Sequence, residues 1–395
     1  MHPREIKPGI EAICNVHWER RLFDALIPLP EGTSYNAYLI RGTKATALID
    51  SGDPVFRDEF LRQFEDVPAI DYVVSQHSEQ DHSGLIPAVL QRFPDAKLVC
   101  NDKASDLLIT HLAVPAERIQ IVSDGEQLSL GNKTLQFIFT PWVHWPETMC
   151  TYIPEDKCLF SCDLFGSHLA TSDLFVRDPA QVYEGAKRYF GEIMMPFRSV
   201  IVRNLEKLAE YDFNMIAPSH GPVYDQPEFI LEAYRDWTSP KVRNTVVLPY
   251  ISMHGSTEMM VKHLTDALVA RGVSVQPFDL TVTDVGKLAM ALVDAATLIV
   301  GTPTVQIGPH PAVHYAAYLA NYLKPKVKYA AVIGSFGWAS KAIDQIVALI
   351  PNLKVEILGT ILQKGLPDAE TLLKLDALAE SVALKHRDDP DVLKD

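Results

Sequence analysis

Four predicted β-strands in the first 225 residues each run out at a side chain able to bind a metal ion. "DYVVSQ" (71–76) ends at "HSEQDHSG" (77–84), which holds His77, Glu79, Asp81 and His82. "KTLQFIFTPW" (133–142) leads to His144, "KCLFSCDLFG" (157–166) to Asp163 and "FNMIAPSHGPV" (213–223) to His220. Between His82, His144, Asp163 and His220 lie 61, 18 and 56 residues. No helix or turn spans such gaps, so only a sheet that gathers its strand ends can use these residues together. A lone histidine would read as a satisfied core residue; an ordered set at strand ends does not.

The short spacings suit two ions. In a loop after a strand, residues two apart can face one side, so His77 and Glu79 can serve one ion and Asp81 and His82 another. Asp163 can bridge, because each carboxylate oxygen can hold a different ion. The set comprises four imidazoles and three carboxylates. Zinc sites favour histidine and cysteine, whereas hard anionic oxygens favour ferric iron. Glu79 stands where a zinc hydrolase motif H-x-H-x-D-H has its middle histidine. The extra negative charge points to two irons, with a dizinc hydrolase as the rival reading.

A chain of 395 residues is too long for one ordinary core, and two domains are expected, 1–240 and 245–395. The net charge of −14 argues against nucleic-acid or anionic-membrane partners. No apolar run reaches the roughly 18 residues of a membrane span. The start, "MHPREIKPGIEAIC", lacks the apolar stretch of a secretory signal. Cys14, Cys100, Cys150, Cys158 and Cys162 form no C-x-x-C pair, which suits a reducing, cytoplasmic chain without a built-in Cys₄ module.

"YRDWTSPKVRN" (234–244) reads as the linker, after which the pattern becomes regular β–α alternation. Apolar runs at 245–251, 297–304, 329–337 and 354–360 have the character of buried parallel strands separated by helices, a doubly wound sheet. The charged tail, "KHRDDPDVLKD", is expected to fray. "SMHGST" (252–257) follows the first of these strands and precedes a helix, so its N–H and O–H groups can wrap a phosphate. It is neither G-x-x-x-x-G-K-[ST] nor G-x-G-x-x-G, and a single phosphate fits FMN. An N-cap for the helix is the plainer alternative. "GTPTVQIGPHP" (301–311) and "GSFGWAS" (334–340) also follow strands, with Trp338 placed to cover a ring.

The ligand motif His77-Ser-Glu79-Gln-Asp81-His82, with His144 in "HWPE", Asp163 in "LFSCDLFGSH" and His220 in "PSHGPV", resembles that of the flavodiiron proteins. The likeness spans nearly the whole chain. It implies an α/β protein: a metallo-β-lactamase-like αβ/βα sandwich followed by a flavodoxin-like doubly wound parallel sheet. One iron would take His77, Glu79, His144 and Asp163, and the other Asp81, His82, Asp163 and His220. FMN contacts would come from Ser252, Met253, His254, Gly255, Ser256 and Thr257. Further contacts would come from Pro303, Thr304, Val305 and Gln306, then Ser335, Phe336, Gly337 and Trp338. The implied reaction is reduction of dioxygen to water or of nitric oxide to nitrous oxide, with FMN relaying electrons. The implied external donor is a rubredoxin-like protein or a reduced deazaflavin cofactor. The implied assembly is a head-to-tail homodimer or a dimer of dimers. A non-catalytic FMN electron carrier is a second rival.

Other residues draw weaker expectations. Asp50 either orients a ligand histidine or shapes a strand end. Trp145 and Pro146, and Tyr189 and Phe190 in "KRYFGEIMMPF", line a pocket or belong to the core. His310 stands by the flavin loop or in a stiff turn. His17 has no assigned role, and His168 is expected to be structural.

Overall fold

A computed structural model describes residues 2–394, which form two compact units. The first runs to Tyr189 and resumes over Phe197–Thr238; the second takes Phe190–Pro196 and everything from Ser239 onward.

Among the described residues the first unit has fourteen strands. They are β1 (Arg4–Lys7), β2 (Ile10–His17), β3 (Leu22–Phe23), β4 (Ile27–Pro28), β5 (Thr33–Arg41), β6 (Thr46–Ile49), β7 (Tyr72–Val74), β8 (Lys97–Cys100) and β9 (Ile119–Ile121). After these come β10 (Gln127–Ser129), β11 (Thr134–Phe139), β12 (Met149–Ile153), β13 (Cys158–Cys162) and β14 (Met215–Pro218). One sheet has the order β1-β2-β5-β6-β7-β8-β9, antiparallel as far as β6 and parallel beyond it. The other has the order β10-β11-β12-β13-β14, parallel only in its last pair. The hairpin β3–β4 stands apart.

Period-two alternation explains the layering. Ile40, Ile49, Val74 and Val99 face the second sheet's Phe137, Met149, Ile153 and Phe160. Their neighbours Leu39, Leu48, Val73 and Leu98 face the opposite way. There they meet Phe60 of α1 (Arg57–Arg62), Ile86 and Leu90 of α3 (Ile86–Arg92) and Leu108 of α4 (Asp102–Leu112). The short α2 (Gln80–Ser83) precedes α3, and α5 (Pro179–Tyr189), α6 (Arg198–Leu208) and α7 (Glu228–Thr238) complete the unit. Each fully buried aliphatic side chain contributes about 1.5–3 kcal/mol to this double core. The packing leaves the ends of β7, β13 and β14 and the β11–β12 loop to converge.

In the second unit the sheet order is β16-β15-β17-β19-β20, all parallel, from β15 (Val242–Tyr250), β16 (Ser274–Asp279), β17 (Ala295–Val305), β19 (Tyr329–Phe336) and β20 (Glu356–Lys364). In chain order this is 2-1-3-4-5, the arrangement of flavodoxin-like sheets, whose switch point falls between β15 and β17. The connecting helices are α8 (Ser256–Val269), α9 (Val285–Leu292), α10 (Pro311–Leu323) and α11 (Ala342–Leu349), followed by α12 (Ala369–Asp388). The two-residue strand β18 (Gly308–Pro309) folds back on β17, and β21 (Val392–Leu393) pairs with β15.

Two expectations change. Residues 234–238, read as linker, are the last turns of α7. Its Ile230, Ala233, Tyr234 and Trp237 are buried at helical spacing, so the connector shrinks to Ser239–Lys241. As far as residue 394 the tail does not fray: α12 runs to Asp388, and Lys328 holds Asp389 at 2.9 Å and Asp391 at 2.8 Å; Asp395 lies outside the described residues. Tyr189 ends α5 in the first unit, and the π-helical turn Phe190–Met194 that follows clusters with the second.

His386 of α12 is 2% exposed. Its Nε2 lies 2.6 Å from Thr297 Oγ1, and its Nδ1 lies 2.8 Å from Asn244 Oδ1. Burial pushes it down to about 4, against a smaller upward pull from Asp389. A folded value below the unfolded 6.5 means that the unfolded state binds the extra proton. Stability is therefore lost as pH falls from about 6.5 to about 4, by up to about 3 kcal/mol. His386→Gln should flatten that part of the stability–pH curve in urea unfolding; an unchanged slope would show that His386 is not the sensor.

Candidate metal centre

The motif at 77–84 folds as a turn and then one helical turn. Glu79 is the extended N-cap of α2, and Asp81 and His82 lie inside the helix. Ser83 Oγ donates to Ser78 O at 2.8 Å and to Glu79 O at 2.9 Å, and Ser51 Oγ donates to His82 O at 2.6 Å. The two pairs consequently point in different directions. Asp50 and Cys162 end β6 and β13 with positive φ of 57° and 52°. Such conformations cost about 1 kcal/mol or more and persist where surrounding structure imposes them. Here the bend at Cys162 delivers Asp163.

All seven sequence-predicted ligand residues come together, in two groups around Asp163. Asp163 Oδ2 lies 3.4 Å from both His77 Nε2 and His144 Nε2, and Glu79 Oε2 is 3.1 Å from each of those nitrogens. Asp163 Oδ1 lies 3.0 Å from His82 Nε2 and 3.4 Å from His220 Nε2. Asp81 presents Oδ1 to His82 at 3.3 Å and Oδ2 to His220 at 3.2 Å. The second group is sealed, whereas the side chains of Glu79 and His144 keep 12% and 19% exposure.

Both oxygens of Asp81 and of Asp163 are buried without an aligned hydrogen bond. Their lone pairs and the imidazole Nε2 atoms converge on shared points rather than on one another, as metal ligands do. The charges agree. Burial alone would depress His77, but hydrogen bonds with Glu147 and Glu79 carry it up to about 10. His220 rises to about 10 against the same burial, because the Asp163 and Asp81 carboxylates lie 3.4 and 3.2 Å from its Nε2. His82 and His144 both reach about 9. Burial opposes the charged form of Asp163, yet the surrounding imidazoles, His82 first, hold it well below the usual carboxylate range. The pocket demands positive charge, and two ions would supply it.

Three features were not singled out from the sequence. Glu147 Oε1 lies 2.8 Å from His77 Nδ1 and accepts from Ser78 N–H at 3.0 Å. The only trace in the sequence is an acid three places past His144 in a buried run. Asp24, at the tip of β3–β4, leans on Glu79; burial first, then that neighbouring charge, pushes it up to about 6. Nothing in "RLFDALIP" marks it. Ser34 O and Asn36, both on β5, hold the His220 loop: His220 Nδ1 is 2.7 Å from Ser34 O, and Asn36 Nδ2 donates to Pro218 O and Gly221 O.

The weaker expectations sort themselves. Asp50 accepts from Gln76 N–H at 2.8 Å and from Gln76 Nε2 at 3.1 Å, so it braces the residue before His77. Trp145 stands edge-on to His77 at 5.1 Å, and Pro146 is half-buried beside it. Tyr189 packs on His168 at 4.8 Å and 5.9 Å from His220; burial, then the Asp163 charge, pushes its phenol well up. His168 pairs with Thr33 Oγ1 at 2.9 Å and is kept neutral by burial. His17 packs against Phe56, outside the ligand groups.

Gly221, next to His220, has φ +80°, and a Cβ there would sit 2.0 Å from Ser167 Oγ and 3.0 Å from Ser167 O. Gly221→Ala should cost roughly 2–4 kcal/mol through backbone strain and overpacking. It should also displace His220, so metal content should fall along with the melting temperature; a variant as stable as wild type would contradict this.

In the second unit the three predicted flavin loops all lie at the carboxyl ends of β15, β17 and β19. Ser252 Oγ accepts from Gly255 N–H and Glu258 N–H, each at 3.1 Å, and so closes the first loop. Gly255, the N-cap of α8, sits at φ 87° and has no side chain to cap with, so beside the Glu258 N–H taken by Ser252 the other first-turn N–H groups are left for an anion. Thr257 Oγ1 meets Ser335 Oγ at 2.9 Å, which ties the first loop to the third. Thr304 Oγ1 meets Ser340 Oγ at 2.7 Å, which ties the second to the third. Trp338, 72% exposed, offers apolar surface beside the loops, as do Met253 and Ile307. Met253, His254 and Ser256 follow Ser252 round the first turn, and Phe336 and Gly337 lead to Trp338. Pro303 lies in β17, buried; Val305 and Gln306 form its end and the turn toward β18. His310 is the N-cap of α10, accepting from Ala312 N–H. The arrangement fits a flat ring carrying one phosphate.

A family described as ODP family beta lactamase matches residues 33–221, and flavodoxin matches residues 248–385. The chain is 34% identical over 398 residues to a nitric oxide reductase of Moorella thermoacetica, covering 98% of this chain and 99% of that one. The fold superposes on rubredoxin oxygen:oxidoreductase from Desulfovibrio gigas with a TM-score of 0.93 at 28% identity, covering 97% of this chain and 98% of that one. It superposes on the flavodiiron protein from Giardia intestinalis with a TM-score of 0.91 at 28% identity, covering 98% of each.

Proposed function

The chain belongs to the flavodiiron proteins, and from that membership we propose that it reduces dioxygen to water, nitric oxide to nitrous oxide, or both. Bound in their two sites, a pair of non-haem irons supplies open coordination positions for the gas, and FMN relays electrons from an external donor. The single observation that carries the reading is Asp163, which offers one oxygen to His82 and His220 and the other to His77 and His144.

In this proposal His77, Glu79, His144 and Asp163 hold one iron, and Asp81, His82, Asp163 and His220 hold the other. Glu79 and His144 form the half-open side through which a small gas enters. Trp145 walls that side, and Tyr189 with His168 closes the back. The loops at 252–257, 303–306 and 335–338 hold the flavin, with phosphate against the first turn of α8.

The donor is a rubredoxin-like protein or a reduced deazaflavin. The assembly is a head-to-tail homodimer or a dimer of dimers, to be read by light scattering. Among the described residues no helix is long and apolar enough to cross a membrane. The five cysteines are free and buried, which supports a reducing cytoplasmic setting.

The deciding experiment is metal and flavin analysis followed by anaerobic reduction and separate addition of dioxygen and nitric oxide. Two irons and one FMN per chain, with consumption of at least one gas, are expected. Two zincs with thioester or β-lactam hydrolysis would sink the reading in favour of a hydrolase. Bound FMN without gas consumption would leave an electron carrier.

A further inference from the structure

Glu147 lies outside the ligand set, yet it is 1% exposed. It sits in the β11–β12 loop, and Asn101, the N-cap of α4, donates to its backbone carbonyl and so fixes the loop to that helix. Its Oε1 receives the Ser78 N–H at 3.0 Å, so this oxygen acts as an acceptor, and it faces His77 Nδ1 at 2.8 Å. The proton between them then resides on Nδ1. The His77 Nε2 lone pair is left pointing at Glu79 Oε2, 3.1 Å away, and Asp163 Oδ2, 3.4 Å away.

Glu147 Oε2 has no hydrogen-bond partner. A buried anion with a bare oxygen is unfavourable unless a positive charge lies close by. An ion on the far nitrogen of His77 provides one. The other group is built differently: behind His220 stands the neutral carbonyl of Ser34, at 2.7 Å from Nδ1, and the Asp50 carboxylate near His82 is already engaged by two hydrogen bonds from Gln76. Anionic backing makes an imidazole a stronger donor to its metal than a carbonyl does.

We propose that Glu147 is a positioning residue that sets the His77 tautomer and makes the two metal positions unequal. The ion held by His77, Glu79, His144 and Asp163 is bound more tightly in its ferric form and is the harder of the two to reduce. This rests on the diiron reading, whose failure would show separately, as wild-type protein without iron.

The test is a redox titration of the iron-loaded full chain, with the mixed-valent form followed by electron paramagnetic resonance, beside chelator extraction. Glu147→Gln keeps the shape and an acceptor oxygen but removes the charge. It should raise the potential of one iron step only, narrowing the interval between the two. It should also release one iron roughly 10–100-fold more readily. Glu147→Asp, which restores the charge one methylene short, should recover part of the interval. Unchanged steps and unchanged extraction in Glu147→Gln would overturn the proposal. Should that variant not fold, the wild-type holoprotein decides by nuclear magnetic resonance. The His77 Nδ1–H should exchange with solvent more slowly than the ring N–H of the partly exposed His144; a missing or equally fast signal would overturn it.

Discussion

Asp163→Asn is expected to empty both metal positions at once. The residue is buried at the end of β13, and its two oxygens face different histidine pairs, His77 with His144 and His82 with His220. An asparagine can offer one carbonyl oxygen but turns an N–H₂ toward the other ion, which repels it. It also removes the one negative charge that both positions share. Iron should drop from two per chain to well below one. Turnover with either gas should fall about 10³-fold or more, because several kcal/mol of metal assistance disappear. FMN content should stay as it was, since the flavin loops belong to the other unit. Asp81→Asn is the control: Asp81 faces only His82 and His220, so the first position should keep its ion. If Asp163→Asn kept both irons, the bridging assignment would be wrong.

Glu79→His should exchange the metal without dismantling the site. Glu79 Oε2 lies 3.1 Å from both His77 and His144, at the partly exposed corner of the site. A third imidazole in place of the carboxylate makes that group nitrogen-rich and less negative by one charge, which favours zinc over ferric iron. Zinc should rise and iron fall in protein from cells offered both. Gas reduction should be lost wherever zinc enters, because zinc has no second oxidation state to use. Asp24 gives an independent readout: with the Glu79 charge gone, its titration should move down from about 6 toward the ordinary carboxylate range. Unchanged iron content and unchanged turnover would refute the argument from ligand hardness.

The seven side chains that gather around Asp163 were legible in the sequence because each is tied to a local pattern, a strand followed at once by a histidine or carboxylate. The loops at the ends of β15, β17 and β19 were legible for the same reason. What stands behind the ligands was not. Glu147 reaches His77 across 70 positions, and Ser34 reaches His220 across 186, and no window of sequence displays such pairs. The missed helix α7 has a different cause. Its period starts at Ile230, so a window opening at Tyr234 sees only the polar remainder of a well-formed apolar face. The pairing of β21 with β15 engages two residues, too few for any alternation to register.

The unequal exposure of the two positions also orders how the protein is built. Asp81, His82 and His220 lie behind the half-open corner formed by Glu79 and His144, so metal reaches the inner position past the outer one. Loading from solvent is then expected to fill the inner position first, and a foreign ion seated there is expected to leave only after its outer neighbour; metal titration of the ion-free protein followed by chelator extraction would check that order.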